Sequence, residues 1–415
     1  MKRVLMVAFQ FPPFAGSSGV QRTLRFVQHL PALGWEPIIL TASPFAYEAC
    51  SVDLLDQVPR SAHVARAFAL DSARHLALAG RYPGFLARPD RWMSWRIDAV
   101  RVGRKLIKHM RPAAIWSTYP IATAHGIASR LGRAGRLPWI ADFRDPMAQE
   151  GYPADPATWR SYKSIEHDAL HSAAASVFCT PGAARMYAER YPDVPGDAIT
   201  VIENGYDEDS FDGIDAARDC ATALNPGRLT LVHSGVVYPS ERDPTQLFAA
   251  LAQLKRDAGA VVAKLVILFR ASGNDRMLRE LGQRFGVSEL VQLEGPLPYR
   301  QALLEMMRAD GLLLLQASNC NAQIPAKLYE YLRSGRPILG LTDPSGDTAL
   351  TLRAAGIATI APLDSAPAIG SALMDFVAAI ERGDAQFAQS AAVHASTRAA
   401  RARQLAALLT RVTSA

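Results

Sequence analysis

The feature that most constrains this chain is an alternation of short β-rich runs with amphipathic segments, which extends almost from one end to the other. Such alternation is typical of parallel sheets covered by helices. In the first half, the predicted strands are residues 3–9, 37–41, 63–69, 113–118, 139–142, 176–180 and 198–203. The sequence therefore predicts an α/β fold built on a parallel sheet.

The alternation breaks once, in an acidic segment between two series of strands. Residues 207–225 contain six acidic residues and little apolar periodicity, which is typical of a linker. A second series follows, with predicted strands at residues 229–233, 264–269, 291–293, 311–315, 337–341 and 358–360. We expect two doubly wound domains, at 1–206 and 227–390, a linker at 207–226, and a helical tail at 391–415 that is rich in Ala, Leu and Arg.

The composition excludes several classes of protein. With 49% hydrophobic and 20% charged residues, the chain is neither disordered nor collagenous. Its longest apolar runs are far shorter than the roughly 18 residues of a membrane-spanning helix, and its charged start turns to Pro12-Pro13 too early for a signal peptide. The cysteines show no metal-binding spacing. We expect a cytoplasmic protein without a bound metal.

Positive charge is concentrated in one segment of the first half. Residues 60–111 hold twelve Arg or Lys and only three Asp, whereas the whole chain has a net charge of +6. Within this segment, Trp95, Ala99, Val102 and Leu106 form an apolar helical stripe with basic residues on its flanks. Residues 81–111 therefore either bind an anionic membrane surface or pack their stripe on the sheet and expose their charges. We expect no nucleic-acid partner, because no base-reading module is present.

A loop rich in glycine and serine follows the first predicted strand. It reads PPFAGSSGVQR, with Gly16, Ser17, Ser18 and Gly19 at its centre and Arg22 at its end. In parallel sheets, ligands collect where a strand ends and a helix begins, because backbone N–H groups converge there. The loop is therefore either a site for an anion or a hydroxyl-rich ligand, or simply a tight turn into the helix.

Charged residues also follow a later strand of the first half. Strand 139–142 ends in Asp142, and Arg144 and Asp145 come directly after it. Because unpaired buried charge is costly, Asp142 and Arg144 either pair as a structural latch or help to bind a substrate. His125, which begins a helix after the preceding strand, is either a packing residue or a functional one.

The second half contains two similar junctions between strand and helix. The segment HSGVVYPSERDP, residues 233–244, contains Gly235 and brings Arg242 to the start of a helix, where a guanidinium suits a diphosphate. The segment NCNAQIPAKLYEYLRSGRPI, residues 319–338, places Lys327 and Glu330 on one helical face. The first pattern is equally typical of an ordinary surface arginine. The second is equally typical of an exposed ion pair within a helix.

Together these motifs resemble glycosyltransferase family 4. The resemblance rests on the PPxxGxxGVQR loop, on PWIADFRDP at residues 138–146, on Asn204-Gly205, on the loop at residues 235–244 and on PAKLYEYLRSGRPIL at residues 325–339. It implies the GT-B architecture, in which two Rossmann-like domains face each other across a cleft and a C-terminal helix returns to the first domain. It also implies transfer of a sugar from a nucleotide diphosphate with retention of configuration and usually without a metal.

The resemblance also assigns roles to individual residues. Arg242, Lys327, Glu330 and His125 are the implied catalytic residues, with Glu330 on the donor ribose and the two cations beside the diphosphate. The implied donor site is Gly235, Arg242, Gln323, Ile324, Lys327, Leu328 and Glu330, and the implied acceptor loops contain Gly16, Ser17, Ser18, Gly19, Arg22, Asp142, Arg144 and Asp145.

The sequence departs from the family pattern at two positions. Ala322 stands where the first Glu of the E-x7-E motif is expected, and Val236 stands where the first basic residue of the diphosphate loop is expected. We interpret these departures as a change in donor choice.

The expected partners are a nucleotide sugar, as co-substrate rather than cofactor, and a glycan or lipid-linked acceptor of bacterial surface polysaccharide assembly. The expected location is the cytoplasm, at the inner face of the plasma membrane. Two alternatives remain open at this point: a nucleotide-sugar 2-epimerase on the same fold, and a non-catalytic protein that binds nucleotide sugars.

Overall fold

The computed structural model describes residues 1–15, 19–219 and 222–414. Residue contacts divide the chain into two compact units, one of Met1–Glu203 with Arg398–Ala415 and one of Asn204–Thr397.

The first unit is a parallel sheet with helices on both faces. Its strands and helices are β1 (Lys2–Val7), α1 (Gly19–His29), β2 (Trp35–Ala42), β3 (His63–Ala67), α2 (Ser72–His75), α3 (Trp95–Met110), β4 (Ala114–Thr118), α4 (Thr123–Gly135), β5 (Trp139–Asp142), α5 (Pro156–Ser172), β6 (Ala175–Phe178), α6 (Pro181–Arg190) and β7 (Ile199–Val201).

The second unit repeats this architecture. Its elements are α7 (Ile214–Asp219), β8 (Leu229–Ser234), α8 (Thr245–Asp257), α9 (Gly259–Val262), β9 (Leu265–Arg270), α10 (Asp275–Phe285), β10 (Val291–Glu294), α11 (Tyr299–Arg308), β11 (Gly311–Gln316), α12 (Lys327–Arg333), β12 (Ile338–Thr342), α13 (Asp347–Ala354), β13 (Ile360–Ala361), α14 (Ala366–Arg382) and α15 (Ser390–Ala395). The last helix, α16 (Arg398–Val412), belongs to the first unit.

Both sheets have the strand order of doubly wound folds. The first sheet runs β3-β2-β1-β4-β5-β6-β7, and the second runs β10-β9-β8-β11-β12-β13. The pairs on either side of the central strands β1 and β8 are all parallel. The chain therefore reverses its direction of winding between β1 and β4 and again between β8 and β11. Loops at the carboxyl ends of these strand pairs are where such sheets bind ligands.

Strand residues alternate between two buried faces of each sheet. In β1, Leu5 and Val7 pack into one core, and Val4 and Met6 pack into the core on the opposite face. The second of these cores also contains Leu405, Leu408 and Leu409 of α16. Burial on both faces explains why central strands such as β9 and β11 are nearly continuous apolar runs instead of alternating ones.

The acidic segment after the first unit packs against the second unit. Tyr206, Phe211 and Ile214 are buried in a core that also contains Leu312 and Leu328. Three apolar side chains therefore anchor this segment in the second unit, and it contains the short helix α7. The sequence analysis expected an independent linker here. The unit boundaries lie at 203/204 and 397/398, compared with the expected 206/207 and 390/391.

Helix α3 uses its apolar stripe to pack on its own unit. Trp95, Ala99, Gly103 and Leu106 are buried, while Val102 is half-buried. The opposite face exposes Ile97, Arg101, Arg104, Lys105 and Lys108. The apolar stripe therefore packs inside the unit, and the basic side chains remain in solvent; binding of this segment to a membrane stays a prediction. Within the described residues, no helix has the length and apolar character needed to cross a bilayer.

Candidate functional site

Two loops of the second unit meet at the carboxyl ends of β8 and β11. The amide of Ala317 donates to the carbonyl of Glu241 at 2.8 Å, and the side-chain amide of Asn319 donates to the carbonyl of Ser240, also at 2.8 Å. These bonds join the loop after β8 to the loop after β11. The two predicted donor-site segments are therefore adjacent at the point where the sheet reverses its winding.

Lys327 lies directly against Gly235 in this site. Gly235 has φ +104°, and a Cβ atom added to it would lie 3.1 Å from Nζ of Lys327. Glycine is therefore required here for two reasons: the left-handed backbone conformation, and the close approach of the ammonium group.

Lys327 donates a hydrogen bond to a buried histidine. Its Nζ is 3.1 Å from Nε2 of His233, and Nδ1 of His233 is 2.9 Å from the carbonyl oxygen of Leu313. Burial, together with Lys327 and Arg242, lowers the pKa of His233 well below its ordinary value. Burial and the nearby charge of Arg242 also lower the pKa of Lys327, while Glu330 opposes that shift.

Arg242 is the second cation of the site. Its Nη1 donates to the carbonyl of Val236 at 2.8 Å, and its guanidinium lies 5.1 Å from the centroid of the Tyr238 ring. Among the described residues, neither Arg242 nor Lys327 forms a salt bridge. Two neighbouring cations create a positive field suited to an anion.

Glu330 lies one helical turn beyond Lys327 and is held by a tyrosine. The hydroxyl of Tyr299, at the start of α11, donates to Oε1 of Glu330 at 2.6 Å. Sequence reasoning missed Tyr299, because the residues between positions 299 and 330 gave no sign that the two side chains meet. It also gave no role to His233, although His233 directly precedes the predicted loop.

Other predicted donor-site residues have structural contacts. Ile324 and Leu328 are buried in the core of the second unit, so their side chains are not available to a ligand. The carbonyl of Gln323 accepts a hydrogen bond from Thr348 at 3.0 Å. Val236, which replaces a basic residue, lies 3.5 Å from a Cβ placed on Gly273 in the loop after β9. No group of three potential metal ligands occurs among the side chains that the structure describes.

In the first unit, Arg22 and Asp142 form a buried ion pair. Nε and Nη2 of Arg22 donate to the two carboxylate oxygens of Asp142 at 2.8 and 3.1 Å. Arg22 also donates to the carbonyls of Ile202 and Glu203. Asp142 therefore forms a structural ion pair, as one of the two interpretations expected, but its partner is Arg22 and not Arg144. Both side chains are buried in this pair, and their acceptor role stays a prediction.

Arg144 and Asp145 lie at the surface beyond this pair. Arg144 has φ +53°, which is uncommon for a residue with a side chain, and its Nη1 donates to the carbonyl of Gly19 at 3.3 Å. Asp145 is exposed, yet the protein atoms around its carboxyl group desolvate it and raise its pKa. Among the predicted acceptor residues, the structure therefore brings Arg144 into contact with Gly19, in addition to the pair of Arg22 and Asp142. Gly16, Ser17 and Ser18 lie outside the described residues.

His125 is a core residue in this structure. It is fully buried, its Nδ1 is 2.8 Å from Oγ of Ser117, and its ring packs 5.1 Å from that of Phe143. Burial lowers its pKa from 6.5 to about 3. This geometry places His125 in the core, where it packs against its neighbours; its catalytic role stays a prediction.

A comparison with family models identifies the first unit. Residues 18–205 match the model described as "Glycosyl transferase 4-like domain". The match covers most of the first unit and none of the strands of the second. This match confirms the resemblance derived from the sequence motifs, and the domain contains the Arg22–Asp142 pair, Arg144 and Asp145. A search of characterised protein sequences found no significant match.

Solved structures share the fold of the whole chain. A glycosyltransferase from Rickettsia africae has a TM-score of 0.66 at 13% identity, with 99% of this chain and 98% of that chain covered. An Anabaena protein, HepE, in complex with UDP and glucose has a TM-score of 0.65 at 14% identity, with 99% and 100% covered. An α,α-trehalose 6-phosphate synthase from Burkholderia multivorans has a TM-score of 0.66 at 13% identity, with 100% and 99% covered. At these identities the likeness shows the fold, which is the α/β two-domain architecture of GT-B proteins.

Proposed function

We propose that this protein is a glycosyltransferase that uses a nucleotide-diphosphate sugar, and that its second unit binds the donor through Lys327 and Arg242. The observation that carries this proposal is the pair of cations at the carboxyl ends of β8 and β11, which have no salt-bridge partner among the described residues. The glycosyl transferase 4-like domain supports it. So does the fold shared with HepE, which was solved in complex with UDP-glucose.

The proposed chemistry is retaining and relies on charges of the protein. As the bond between the anomeric carbon and the diphosphate breaks, negative charge develops on the leaving oxygen. Lys327 and Arg242 would stabilise that charge, because preorganised cations in a partly desolvated site lower the energy of a charged transition state. We propose that these two side chains take the place of a metal ion.

Glu330 and Tyr299 would bind the sugar part of the nucleotide. A carboxylate accepts hydrogen bonds from a pair of ribose hydroxyls, and Tyr299 fixes the orientation of that carboxylate from the other side. The apolar Val236 and Ala322 leave the nearby donor-sugar contacts without their usual charged groups. We therefore propose that these two positions alter the choice of donor sugar.

The acceptor would bind to the glycosyl transferase 4-like domain, near Gly19, Arg144 and Asp145. We propose a lipid-linked glycan of bacterial surface polysaccharide assembly, at the cytoplasmic face of the plasma membrane. The basic face of α3 supports this proposal, as do Phe68, Phe85 and Ile97, which are 54, 64 and 79% exposed in the same region of the chain. Exposed aromatic and apolar side chains among basic ones suit an anionic lipid surface.

Binding of nucleoside diphosphates tests the donor site directly. Isothermal titration calorimetry with UDP, GDP, ADP and dTDP should find one base that binds, and Arg242→Ala and Lys327→Ala should each weaken that binding by about tenfold or more. Lys264→Ala, which removes an exposed lysine of the same unit, is the control. Equal affinity in all four proteins would contradict the proposal.

Turnover separates transfer from the two alternative functions. The protein is incubated with labelled nucleotide sugars and a membrane extract. Transfer of label to lipid supports glycosyl transfer. Isomerisation of the donor without an acceptor would indicate an epimerase, and binding without turnover would indicate a non-catalytic protein.

Membrane binding is tested with charge-reversal variants. We expect the protein to sediment with vesicles that contain phosphatidylglycerol, and we expect the triple variant Arg104→Glu, Lys105→Glu, Lys108→Glu to lose this binding. The control reverses three exposed arginines of α10, namely Arg276, Arg279 and Arg284, with the same change in net charge. Equal loss in both triple variants would argue against a membrane-binding face on α3.

A further inference from the structure

We propose that His233 is a positioning residue that holds the ammonium group of Lys327 over Gly235, ready for the donor diphosphate. This inference rests on the proposed function of the site, but it concerns a residue that neither the sequence motifs nor the family resemblance assigns. His233 would not touch the substrate and would act through Lys327.

The hydrogen bonds of His233 determine which of its ring nitrogens carries the proton. The carbonyl oxygen of Leu313 can only accept a hydrogen bond, and it lies 2.9 Å from Nδ1. Nδ1 therefore carries the hydrogen, and Nε2 presents its lone pair. That lone pair accepts from Nζ of Lys327 at 3.1 Å. The strand β11 thus orients the imidazole, and the imidazole orients the lysine.

The surroundings keep the imidazole neutral. His233 is fully buried, and the ring of Phe269 on β9 lies 5.8 Å from its own. The charged groups that act on it are Lys327 on α12 and Arg242 in the loop after β8. Protonation of His233 would remove the acceptor of Lys327 and add a third positive charge beside two others. Burial and these two cations oppose that protonation.

Positioning matters because a lysine side chain has four rotatable bonds. Left unrestrained, the ammonium group would sample many positions, and ordering it on ligand binding would cost conformational entropy. Gly235 leaves room for the ammonium group on one side, and His233 holds it from another. The cation is therefore placed before the ligand arrives.

Two substitutions separate this role from a purely structural one. His233→Asn retains a donor at the position of Nδ1 and loses the acceptor for Lys327, whereas His233→Gln retains an acceptor at the position of Nε2 and loses the donor to Leu313. We expect His233→Asn to weaken UDP binding about tenfold and His233→Gln to remain within about threefold of the unaltered protein. If UDP does not bind, inorganic pyrophosphate is the probe. The reverse order of the two variants would overturn the inference and favour a structural role.

A double-mutant cycle shows whether His233 acts through Lys327. In a Lys327→Ala background, His233→Asn should change the affinity for UDP by less than about twofold. The same tenfold loss in that background would mean that His233 acts independently of Lys327, which would overturn the inference. Thermal melting curves of each variant confirm that the protein under test is folded.

A measurement without nucleotide keeps this inference separate from the proposed function. The rate at which acetic anhydride acetylates Lys327, measured by mass spectrometry relative to Lys264, should rise several-fold in His233→Asn and stay unchanged in His233→Gln. An unchanged rate in His233→Asn overturns the positioning role whatever the protein binds. If that rate rises but Lys327→Ala binds nucleotide normally, positioning is supported and the proposed diphosphate site fails.

Discussion

Lys327 sets the pH range in which the proposed donor site can work. Its pKa is lowered by burial and by Arg242, so it loses its proton at a lower pH than an ordinary lysine. Since only the protonated form attracts a diphosphate, affinity for UDP should fall as pH rises through this lowered pKa. Calorimetry over a series of pH values should show this fall at a lower pH than that at which an ordinary lysine, whose pKa is about 10.4, loses its proton.

Lys327→Arg is the control for this pH dependence. A guanidinium stays protonated over the whole range, so the variant should bind more weakly at neutral pH but with little change up to about pH 9.5. An affinity of the unaltered protein that is constant to that pH would contradict the assignment of Lys327 to the anion site.

Gly235 offers a second test at the scale of one residue. Gly235→Ala forces a side chain into a left-handed conformation and places Cβ 3.1 Å from Nζ of Lys327. We expect a cost of about 1–2 kcal/mol in the free energy of unfolding and a loss of UDP affinity of about tenfold or more. In Gly227→Ala, the new Cβ would have nothing within 4 Å at φ +79°. Gly227→Ala should therefore lower the free energy of unfolding without lowering the affinity for UDP.

At the scale of elements, the Arg22–Asp142 pair joins helix α1 to the end of strand β5. Both side chains are buried, with 6 and 0% of their surface exposed. Asp142→Asn removes the carboxylate charge that pairs with the buried guanidinium of Arg22, so we expect the free energy of unfolding of the first unit to fall by about 3–5 kcal/mol. The double variant Arg22→Met, Asp142→Leu should recover most of this loss in urea titrations. Similar losses in both proteins would indicate that the packing, and not the charge, is the main contribution.

The packing of α3 on α4 gives a prediction with an internal control. A Cβ added to Gly103 of α3 would lie 2.5 Å from a methyl carbon of Leu131, whereas one added to Gly126 of α4 would have nothing within 4 Å. Gly103→Ala should lower the free energy of unfolding by about 1–3 kcal/mol through overpacking. Gly126→Ala should raise it by about 0.4–1 kcal/mol through helix propensity. Urea titration measures both, and a stable Gly103→Ala would mean that α3 can shift away from α4.

At the scale of the whole molecule, the buried histidines predict loss of stability in acid. Burial lowers the pKa of His125 from 6.5 to about 3, and that of His233 is also lowered. Below pH 6.5 the unfolded chain therefore binds protons that the folded chain does not, and stability falls with pH. Well below pH 6.5, His125 should contribute roughly 1 kcal/mol per pH unit, and His233 should act in the same direction.

The acid effect is measured by urea titration of the unaltered protein and of His125→Gln at several pH values. The variant lacks one of the two buried imidazoles, so its stability should depend less steeply on pH below about 6. Identical slopes in the two proteins would show that His125 takes up its proton without unfolding.

The sequence by itself determined the parts of this protein that depend on local pattern. Apolar runs of strand length with helical segments between them predicted the strands of both sheets, because a parallel strand is buried on both faces and must be apolar throughout. The motifs also predicted that the loops after β1, β5, β8 and β11 lie at the carboxyl ends of strands, where helices begin. These predictions needed only neighbouring residues along the chain.

Only the tertiary structure decided which of these residues meet. Asp142 pairs with Arg22, 120 residues earlier in the chain, instead of with nearby Arg144, and His125 enters the core. Lys327 contacts His233, 94 residues away, and Glu330 contacts Tyr299. Local periodicity carries no information on such partners, because packing of the strands brings them together and burial determines which charges must be paired.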